Sequence, residues 1–316
     1  MNTPILYIVV PCYNEEEALP HASKRLNELM EDLIATARVR PESRVAFVDD
    51  GSKDATWEVI CKLRDENPRF EGIKLAHNAG HMNALWAGMT LVSGKCDCLV
   101  TIDADLQDDV NAIYGFLDHY MQGADVVYGV RSSRQTDTAF KRVTAQGFYK
   151  LMGMMGVEMV YNHADYRLLS RRAVEALLSF GEVNMFLRGM VPLLGFRTAQ
   201  VAYERGERVA GESKYPLKKM LGFAVDGITS FSNKPIRFVT VIGFLCALLG
   251  ILMAVYAIVS LAIGRTVAGW ASLMMSVWLI GGMQLIAVGM IGEYIGKIYM
   301  EVKRRPKFIL DRYLHD

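Results

Sequence analysis

Hydrophobic and polar residues alternate along the first half of the chain in two periods. Short apolar runs rich in β-branched residues, each bounded by turn-forming residues, predict strands. Longer stretches between them repeat apolar residues at helical spacing, which predicts amphipathic helices. The predicted strands are Leu6–Val10, Val45–Val48, Gly72–Leu75, Cys98–Ile102 and Asp125–Tyr128, and the predicted helices are Ala18–Ala37, Thr56–Asn67, His81–Val92 and Val110–Met121.

This alternation predicts an α/β fold built on a mostly parallel sheet. Nearly continuous apolar strands are typical of sheets that helices cover on both faces. Ligands bind such sheets where the carboxyl ends of the strands meet. Polar clusters follow three of the predicted strands, so we expect them to share one site. They are Tyr13-Asn14-Glu15, Asp49-Asp50-Gly51-Ser52 and Asp103-Ala104-Asp105.

Two long apolar segments, Phe238–Ile263 and Trp270–Ile291, follow the α/β region. Each exceeds the roughly 20 residues that span a bilayer. Basic residues flank their outer ends, which predicts two membrane helices with both chain termini in the cytoplasm. The alternative, a pair of buried core helices, is disfavoured by their length and lack of charge. The flanking basic residues are Lys234, Arg237, Lys297, Lys303, Arg304, Arg305 and Lys307.

The segment before the first apolar stretch predicts an amphipathic helix. Apolar residues from Leu217 to Phe231 recur at helical spacing, while Lys218 and Lys219 fall outside that stripe. We favour a helix on the membrane surface over one packed on the α/β domain. The predicted divisions are an α/β domain at 1–214, a juxtamembrane region at 215–237, two membrane helices at 238–292 and a basic tail at 293–316.

Composition narrows the class of protein. Hydrophobic residues make up 52% of the chain, and the mean hydropathy of +0.17 is high for a purely soluble enzyme. A net charge of +1 gives no case for nucleic-acid binding. The five cysteines include no CxxC pair, so neither a zinc site nor a disulfide framework is expected. The first residues lack the basic start of a signal peptide.

The Asp103-Ala104-Asp105 triplet predicts a metal site. Two carboxylates at this spacing beyond a strand can reach one divalent cation, and Mg²⁺ and Mn²⁺ prefer oxygen ligands and substrate phosphates. Gln107 stands two residues further on. The pattern also occurs by chance in solvated loops, but its place after a buried strand favours the metal site.

The other two clusters carry residue types that suit a nucleotide. Asp49 and Asp50 can accept hydrogen bonds from a ribose or a base edge. Tyr13 could stack on a base, and Glu15 could bind a base or ribose. Turns and helix caps are the alternative interpretation, because Asp, Gly and Ser also form turns. Both interpretations can hold together.

In their order, PCYNE (11–15), VDDGS (48–52) and DADLQDD (103–109) resemble the family-2 glycosyltransferases of GT-A fold, from about Ile5 to Lys214. RVAGESKY (208–215), followed by two apolar segments and GEYIGK (292–297), resembles the polyprenyl-phosphate branch. That branch includes dolichol-phosphate mannose synthases and bactoprenol glucosyltransferases. The two-helix ending is closest to the bactoprenol type.

The resemblance implies roles residue by residue. It implies nucleotide binding by Pro11, Tyr13, Glu15, Asp49, Asp50, Asp103 and Asp105, metal binding by Asp103, Asp105 and Gln107, and catalysis by Asp103, Asp105 and Asp165. It implies acceptor-phosphate binding by Arg131, Arg142, Arg167, Arg208, Ser213 and Lys214. Guanidinium groups suit a phosphate because they are planar, charged donors. Since a phosphate is already anionic, Asp165 need not be a base and could instead orient Arg167 or sugar hydroxyls.

The implied reaction is a single inverting displacement, in which a lipid phosphate oxygen attacks the anomeric carbon opposite the leaving nucleoside diphosphate. The implied substrates are UDP-glucose and undecaprenyl phosphate, with Mg²⁺ or Mn²⁺ as cofactor. We expect a multi-pass protein of the inner or plasma membrane with a cytoplasmic catalytic domain. Glycines in the apolar segments are compatible with a homo-oligomer.

Several alternatives remain open. The donor could carry GlcNAc, galactose, mannose or a modified aminoarabinose. Other classes are a polysaccharide synthase, a nucleotide-sugar binding protein without turnover, and a flippase. Two spans without buried charge disfavour a channel or a polar path.

Overall fold

The computed structural model describes residues 3–132, 163–183, 185–204, 229, 232, 234–263 and 269–315. The chain divides into two compact units. The described residues of the first unit lie within 3–204 and 305–315, and those of the second lie within 229–304.

The first unit alternates strands and helices as the hydrophobic pattern predicts. Every strand and helix predicted as far as Tyr128 is confirmed, with ends that differ by a few residues. The elements are β1 (Leu6–Cys12), α1 (Leu19–Ala35), β2 (Arg44–Asp49), α2 (Thr56–Glu66), β3 (Phe70–Leu75), α3 (His81–Val92), β4 (Cys98–Thr101), α4 (Ala112–Met121), β5 (Val126–Arg131), β6 (His163–Ser170), α5 (Arg171–Leu178), α6 (Leu187–Leu193), β7 (Thr198–Tyr203) and β8 (Leu310–Leu314).

The described strands form one sheet in the order β7-β5-β6-β4-β1-β2-β3-β8. Strands β3, β2, β1 and β4 are parallel neighbours. Strand β6 runs antiparallel between β4 and β5, and β7 is parallel to β5. The carboxyl ends of β1, β2, β4 and β5 therefore meet at one edge, which is where the three polar clusters were predicted to converge.

Helices cover both faces of the central strands. Strand β1 is buried along its whole length, and its successive side chains point to opposite faces. Ile8 belongs to the same buried cluster as Leu26 of α1. Val9 faces α3, where a side chain on Gly88 would come within 2.4 Å of the Val9 Cγ1 atom. A glycine at this position therefore lets α3 pack directly against β1.

The last strand comes from the far end of the chain. Strand β8 pairs antiparallel with β3, whereas the sequence pattern placed it within a basic tail, 293–316. Glu71 of β3 is buried and accepts hydrogen bonds from the Tyr313 hydroxyl at 2.6 Å and the Tyr7 hydroxyl at 3.0 Å. Lys95 donates to the Tyr313 hydroxyl at 2.7 Å. This polar network fixes β8 to the edge of the sheet.

The second unit contains the helices α7 (Lys234–Ala262) and α8 (Trp270–Lys303). The two apolar segments are therefore helical as predicted, and α8 continues beyond the predicted end at Ile291. Among the described residues, Leu279–Lys303 is one helical segment long and apolar enough to cross a membrane. The predicted juxtamembrane helix lies mostly outside the described residues.

Candidate active site

The loops that follow β1 and β2 are bonded to each other. The Asn14 N–H donates to Ser52 Oγ at 3.0 Å, and the Lys53 N–H donates back to Asn14 Oδ1 at 2.9 Å. The Glu15 N–H donates to Thr56 Oγ1 at 2.8 Å. The first two predicted clusters therefore form one structure.

Asp49 ends β2 with a fully buried carboxylate. Its Oδ1 accepts from the Ser52 N–H at 3.0 Å. Its Oδ2 has no hydrogen-bond partner among the described residues. A buried acceptor without a partner is costly, so this oxygen suits a ligand that donates, such as a ribose hydroxyl or a base N–H. Tyr13, 40% exposed on the neighbouring loop, is free to stack on such a ligand.

Asp50 binds the backbone of the loop before α3. Its two carboxylate oxygens accept from the N–H groups of Ala79 at 2.7 Å and Gly80 at 2.9 Å. Burial raises the pKa of Asp50, and these two hydrogen bonds oppose the rise. Gly51 has φ +64°, and a Cβ there would lie 2.5 Å from the His77 carbonyl carbon. Both Asp50 oxygens therefore bind the protein backbone, and the nucleotide contact of Asp50 stays a prediction.

Asp103 and Asp105 follow β4 at the same edge. About half of the Asp103 side chain, 48%, stays open to solvent. Burial of the rest raises the pKa of Asp103 to about 6; His81 opposes the rise, and the neighbouring carboxylates, Asp165 foremost, add to it. Asp105 Oδ1 accepts from the Gln107 N–H at 3.3 Å, across Leu106, whose φ is +43°.

These two carboxylates fit a divalent cation that is shared with a substrate. The described residues contain no group of three His, Cys, Asp or Glu side chains able to hold a metal alone. Mg²⁺ is usually bound through one or two carboxylates together with substrate phosphates. Asp103 and Asp105, both partly exposed, supply that donor set. Gln107, the predicted third ligand, is buried.

Asp165, on β6, is buried between two guanidinium groups. Arg167 Nη2 lies 2.6 Å from its Oδ1, and Arg188 of α6 donates to it from Nη2 at 2.9 Å and from Nε at 3.2 Å. Burial alone would raise the pKa of Asp165, but the two arginines outweigh it and hold the pKa well below the usual carboxyl range. Asp165 is therefore ionised and a poor proton acceptor.

The two arginines differ in what they can reach. Arg167 is buried and also donates to the Leu187 carbonyl at 3.4 Å. Arg167 was predicted to bind the acceptor phosphate. Because its side chain is buried against Asp165, it is not exposed to such a ligand. Arg188 is 36% exposed. Arg188 was not predicted as a site residue, because it stands alone in the apolar run of α6 and no local pattern in the sequence reveals its partner.

Arg131, at the end of β5, belongs to a second cluster. Its Nη2 lies 3.4 Å from Asp108 Oδ1, and its Nε donates to the Tyr203 hydroxyl at 3.4 Å. The Tyr203 hydroxyl donates to the same Asp108 oxygen at 2.6 Å. Arg131 is thus tied to the DADLQDD loop while part of its side chain stays exposed, 26%. Asp108 and Tyr203 were not predicted as site residues.

The remaining predicted residues divide into two groups. Pro11 is buried in β1 and pairs in register with Val48 of β2, so it shapes the start of the first loop. Glu15 is partly buried. The other four, Arg142, Arg208, Ser213 and Lys214, lie outside the described residues.

Comparison with known proteins agrees with this geometry. The family model for glycosyl transferase family 2 matches residues 7–178. The chain is 51% identical to an uncharacterized glycosyltransferase, YkoT of Bacillus subtilis, across 100% of this chain and 94% of the relative. It is 41% identical to the SfII prophage-derived bactoprenol glucosyl transferase of Shigella flexneri, across 96% and 97% of the two chains. It is 39% identical to a prophage bactoprenol glucosyl transferase homolog of Escherichia coli K12, across 96% and 98%. The chain is therefore a glycosyltransferase of GT-A fold and belongs to glycosyl transferase family 2.

Proposed function

We propose that this chain transfers a sugar, in the first instance glucose from UDP-glucose, to undecaprenyl phosphate. Two of the relatives described above are named for transfer of glucose to bactoprenol, and they align over nearly their whole length. The structural observation that carries the proposal is the state of Asp165, which is buried, ionised and paired with two arginines.

The state of Asp165 bears on the class of acceptor. A sugar or lipid alcohol must lose a proton as it attacks, and an efficient general base has a pKa near the working pH. Asp165 has a pKa far below that value. A phosphate monoester is already anionic near neutral pH and needs no base. A carboxylate neutralised by arginines therefore supports a phosphate acceptor over an alcohol.

The reaction is then a single displacement with inversion. An oxygen of the lipid phosphate forms a bond to the anomeric carbon as the bond from that carbon to the nucleoside diphosphate breaks, and no proton needs to move. Asp49 and Tyr13 hold the nucleoside. A divalent cation held by Asp103 and Asp105 would supply Lewis-acid stabilisation of the diphosphate. Arg188 adds positive charge beside the acceptor, so catalysis consists mainly of alignment and electrostatics.

The second unit suits a lipid acceptor. Large apolar side chains on both of its helices are exposed, among them Phe244 of α7 and Leu285 of α8. Exposed apolar surface of this extent is typical of lipid-facing helices. We assign both helices to the membrane, with the catalytic unit and both termini in the cytoplasm, and retain a homo-oligomer as part of the proposal.

The test uses the purified full chain in detergent with Mn²⁺ or Mg²⁺ and a panel of radiolabelled nucleotide sugars. Undecaprenyl phosphate and the neutral alcohol undecaprenol are offered in parallel, and label is counted after extraction into organic solvent. We expect one donor to give label in the lipid phase, and only with undecaprenyl phosphate as the acceptor. This label should be lost when EDTA is added and in the variant Asp105→Asn. Equal transfer to undecaprenol would refute the phosphate acceptor, and a donor other than UDP-glucose would correct the sugar.

A further inference from the structure

The side chain of His81 lies between Asp103 and Asp165 and has no role in the reaction described above. The Nε2 atom of His81 lies 3.7 Å from Asp103 Oδ1 and 3.9 Å from Asp165 Oδ2. The His81 side chain is 44% exposed, so it faces the open edge of the sheet. Asp103 belongs to the carboxylates that follow β4, and Asp165 belongs to the arginine cluster on β6. In the part of the chain that the structure describes, His81 therefore lies within 4 Å of both carboxylates.

The backbone holds His81 in this place firmly. It is the first residue of α3, directly after the two N–H groups that Asp50 binds. The next turn adds two bonds, from Asn83 Nδ2 to the Ala79 carbonyl at 2.8 Å and from the Ala84 N–H to the Gly80 carbonyl at 3.0 Å. The buried carboxylate of Asp50 therefore sets the position of an imidazole at the centre of the site.

Electrostatics shows why a group is needed there. Asp103 and Asp165 carry like charges that face the same nitrogen atom, and like charges at short range in a partly desolvated site repel each other. Arg167 and Arg188 compensate Asp165 from its other side. With a proton on Nε2, the imidazole can donate toward either carboxylate, and such a donor offsets their repulsion in part.

We propose that His81 is a positioning residue that acts through Asp103 and Asp165, aligning the donor sugar with the acceptor phosphate. This inference rests on the proposed transfer to a lipid phosphate. In the proposed reaction, Asp103 stands on the side of the leaving diphosphate and Asp165 on the side of the incoming phosphate. The distance between Asp103 and Asp165 therefore sets the distance between the two phosphates, and the anomeric carbon must move from one phosphate to the other. Misalignment by about 1 Å can cost roughly 100-fold in rate.

The experiment compares three variants of the full chain in the lipid transfer assay: His81→Ala, His81→Gln and, as matched control, His119→Ala. His119 lies in the last turn of α4, away from the carboxyl edge. We expect His81→Ala to lose about 10- to 100-fold in kcat, with the KM for the nucleotide sugar and the Kd for UDP within about threefold of wild type. His81→Gln, whose amide can donate a hydrogen bond, should retain more activity, and added imidazole should partly restore His81→Ala. His119→Ala should match wild type.

Each result decides the matter. A kcat of His81→Ala equal to wild type would overturn the inference, as would a parallel loss of UDP affinity, which would place His81 in the donor pocket. If the kcat of His81→Ala falls together with its Tm and added imidazole does not restore activity, the role of His81 is purely structural. That result would also overturn the inference. If wild-type protein labels no lipid with any donor, the proposed function fails and the inference falls with it. If wild type is active while the His81 variants are unaffected, only the inference fails.

Discussion

Replacing Asp165 by asparagine tests the central electrostatic arrangement of the site. The substitution keeps the size of the side chain and removes its charge. Arg167 is buried and loses its charged partner at 2.6 Å. Removing one partner of a buried ion pair typically costs about 3–5 kcal/mol, because the other charge stays buried without compensation. Arg188, more than a third exposed, adds at most about 1 kcal/mol because solvent screens it.

The assay is thermal unfolding of the full chain in detergent, followed by intrinsic fluorescence. In a domain of this size, 1 kcal/mol corresponds to about 2–4 °C in Tm, so Asp165→Asn should melt roughly 6–24 °C lower. Removing both charges with Asp165→Leu and Arg167→Met should recover much of that loss. A variant as stable as wild type but inactive by about 10²–10⁴-fold would refute the reasoning, because that is the behaviour of a general base.

The pH dependence gives a second check on the same pair. The pKa of folded Asp165 is depressed, so its stabilising effect is complete above the ordinary carboxyl pKa of about 3.9. The effect is lost progressively as the pH falls from that value through the lower folded pKa. The difference in Tm between wild type and Asp165→Asn should therefore stay constant from about pH 5.5 to about pH 8.5. A difference that shrinks within that range would show that Asp165 is not held by its arginines.

Three further predictions concern other parts of the catalytic unit. Asp103 has a raised pKa of about 6, so the fold loses stability as the pH rises from the ordinary carboxyl pKa of about 3.9 to about 6, and loses no more above that. Asp103→Asn should therefore raise the Tm at about pH 8 in EDTA, and this gain should shrink as the pH is lowered to about 4; the same Tm difference at both pH values would contradict this. Gly51→Ala places a Cβ 2.5 Å from the His77 backbone at positive φ and should cost at least ~1–2 kcal/mol together with donor affinity, measured by Tm and UDP titration; unchanged values would refute the close approach. Tyr313→Phe removes a hydroxyl bonded to the buried Glu71 and should cost about 1–3 kcal/mol, with faster proteolysis of the C-terminal strand; equal protease resistance would contradict it.

The sequence predicted the sheet and the location of the site for a simple physical reason. The spacing of apolar residues indicates which face of a helix or strand is buried, and it can be read from the sequence of that element alone. The runs Leu6–Val10 and Cys98–Ile102 are apolar because both faces of their strands are covered, and the residues after them must gather at the carboxyl edge. Asp49, Asp103 and Asp105 could therefore be placed in advance.

The partners of individual charges could not be placed in the same way. Arg131, Arg167 and Arg188 have the same chemistry in the sequence, and only the tertiary structure decides which carboxylate each one meets. Arg167 forms an ion pair with Asp165, two residues before it, whereas Arg188 binds the same carboxylate from a different element, α6. His81 was hidden for the same reason, because its two acidic neighbours come from β6 and from the residues after β4.

The position of β8 at the C-terminal end of the chain determines when the sheet can be completed during translation. Strand β3 leaves the ribosome long before β8, and the two apolar helices α7 and α8 are synthesised between them. Until β8 arrives, β3 is an edge strand with unpaired N–H and C=O groups, which is a recognised risk for aggregation. Glu71 meanwhile lacks the hydrogen bond that Tyr313 donates. The catalytic sheet is therefore completed only after the apolar helices have been made, so a chain that stops short of β8 leaves its nascent catalytic domain with an open edge.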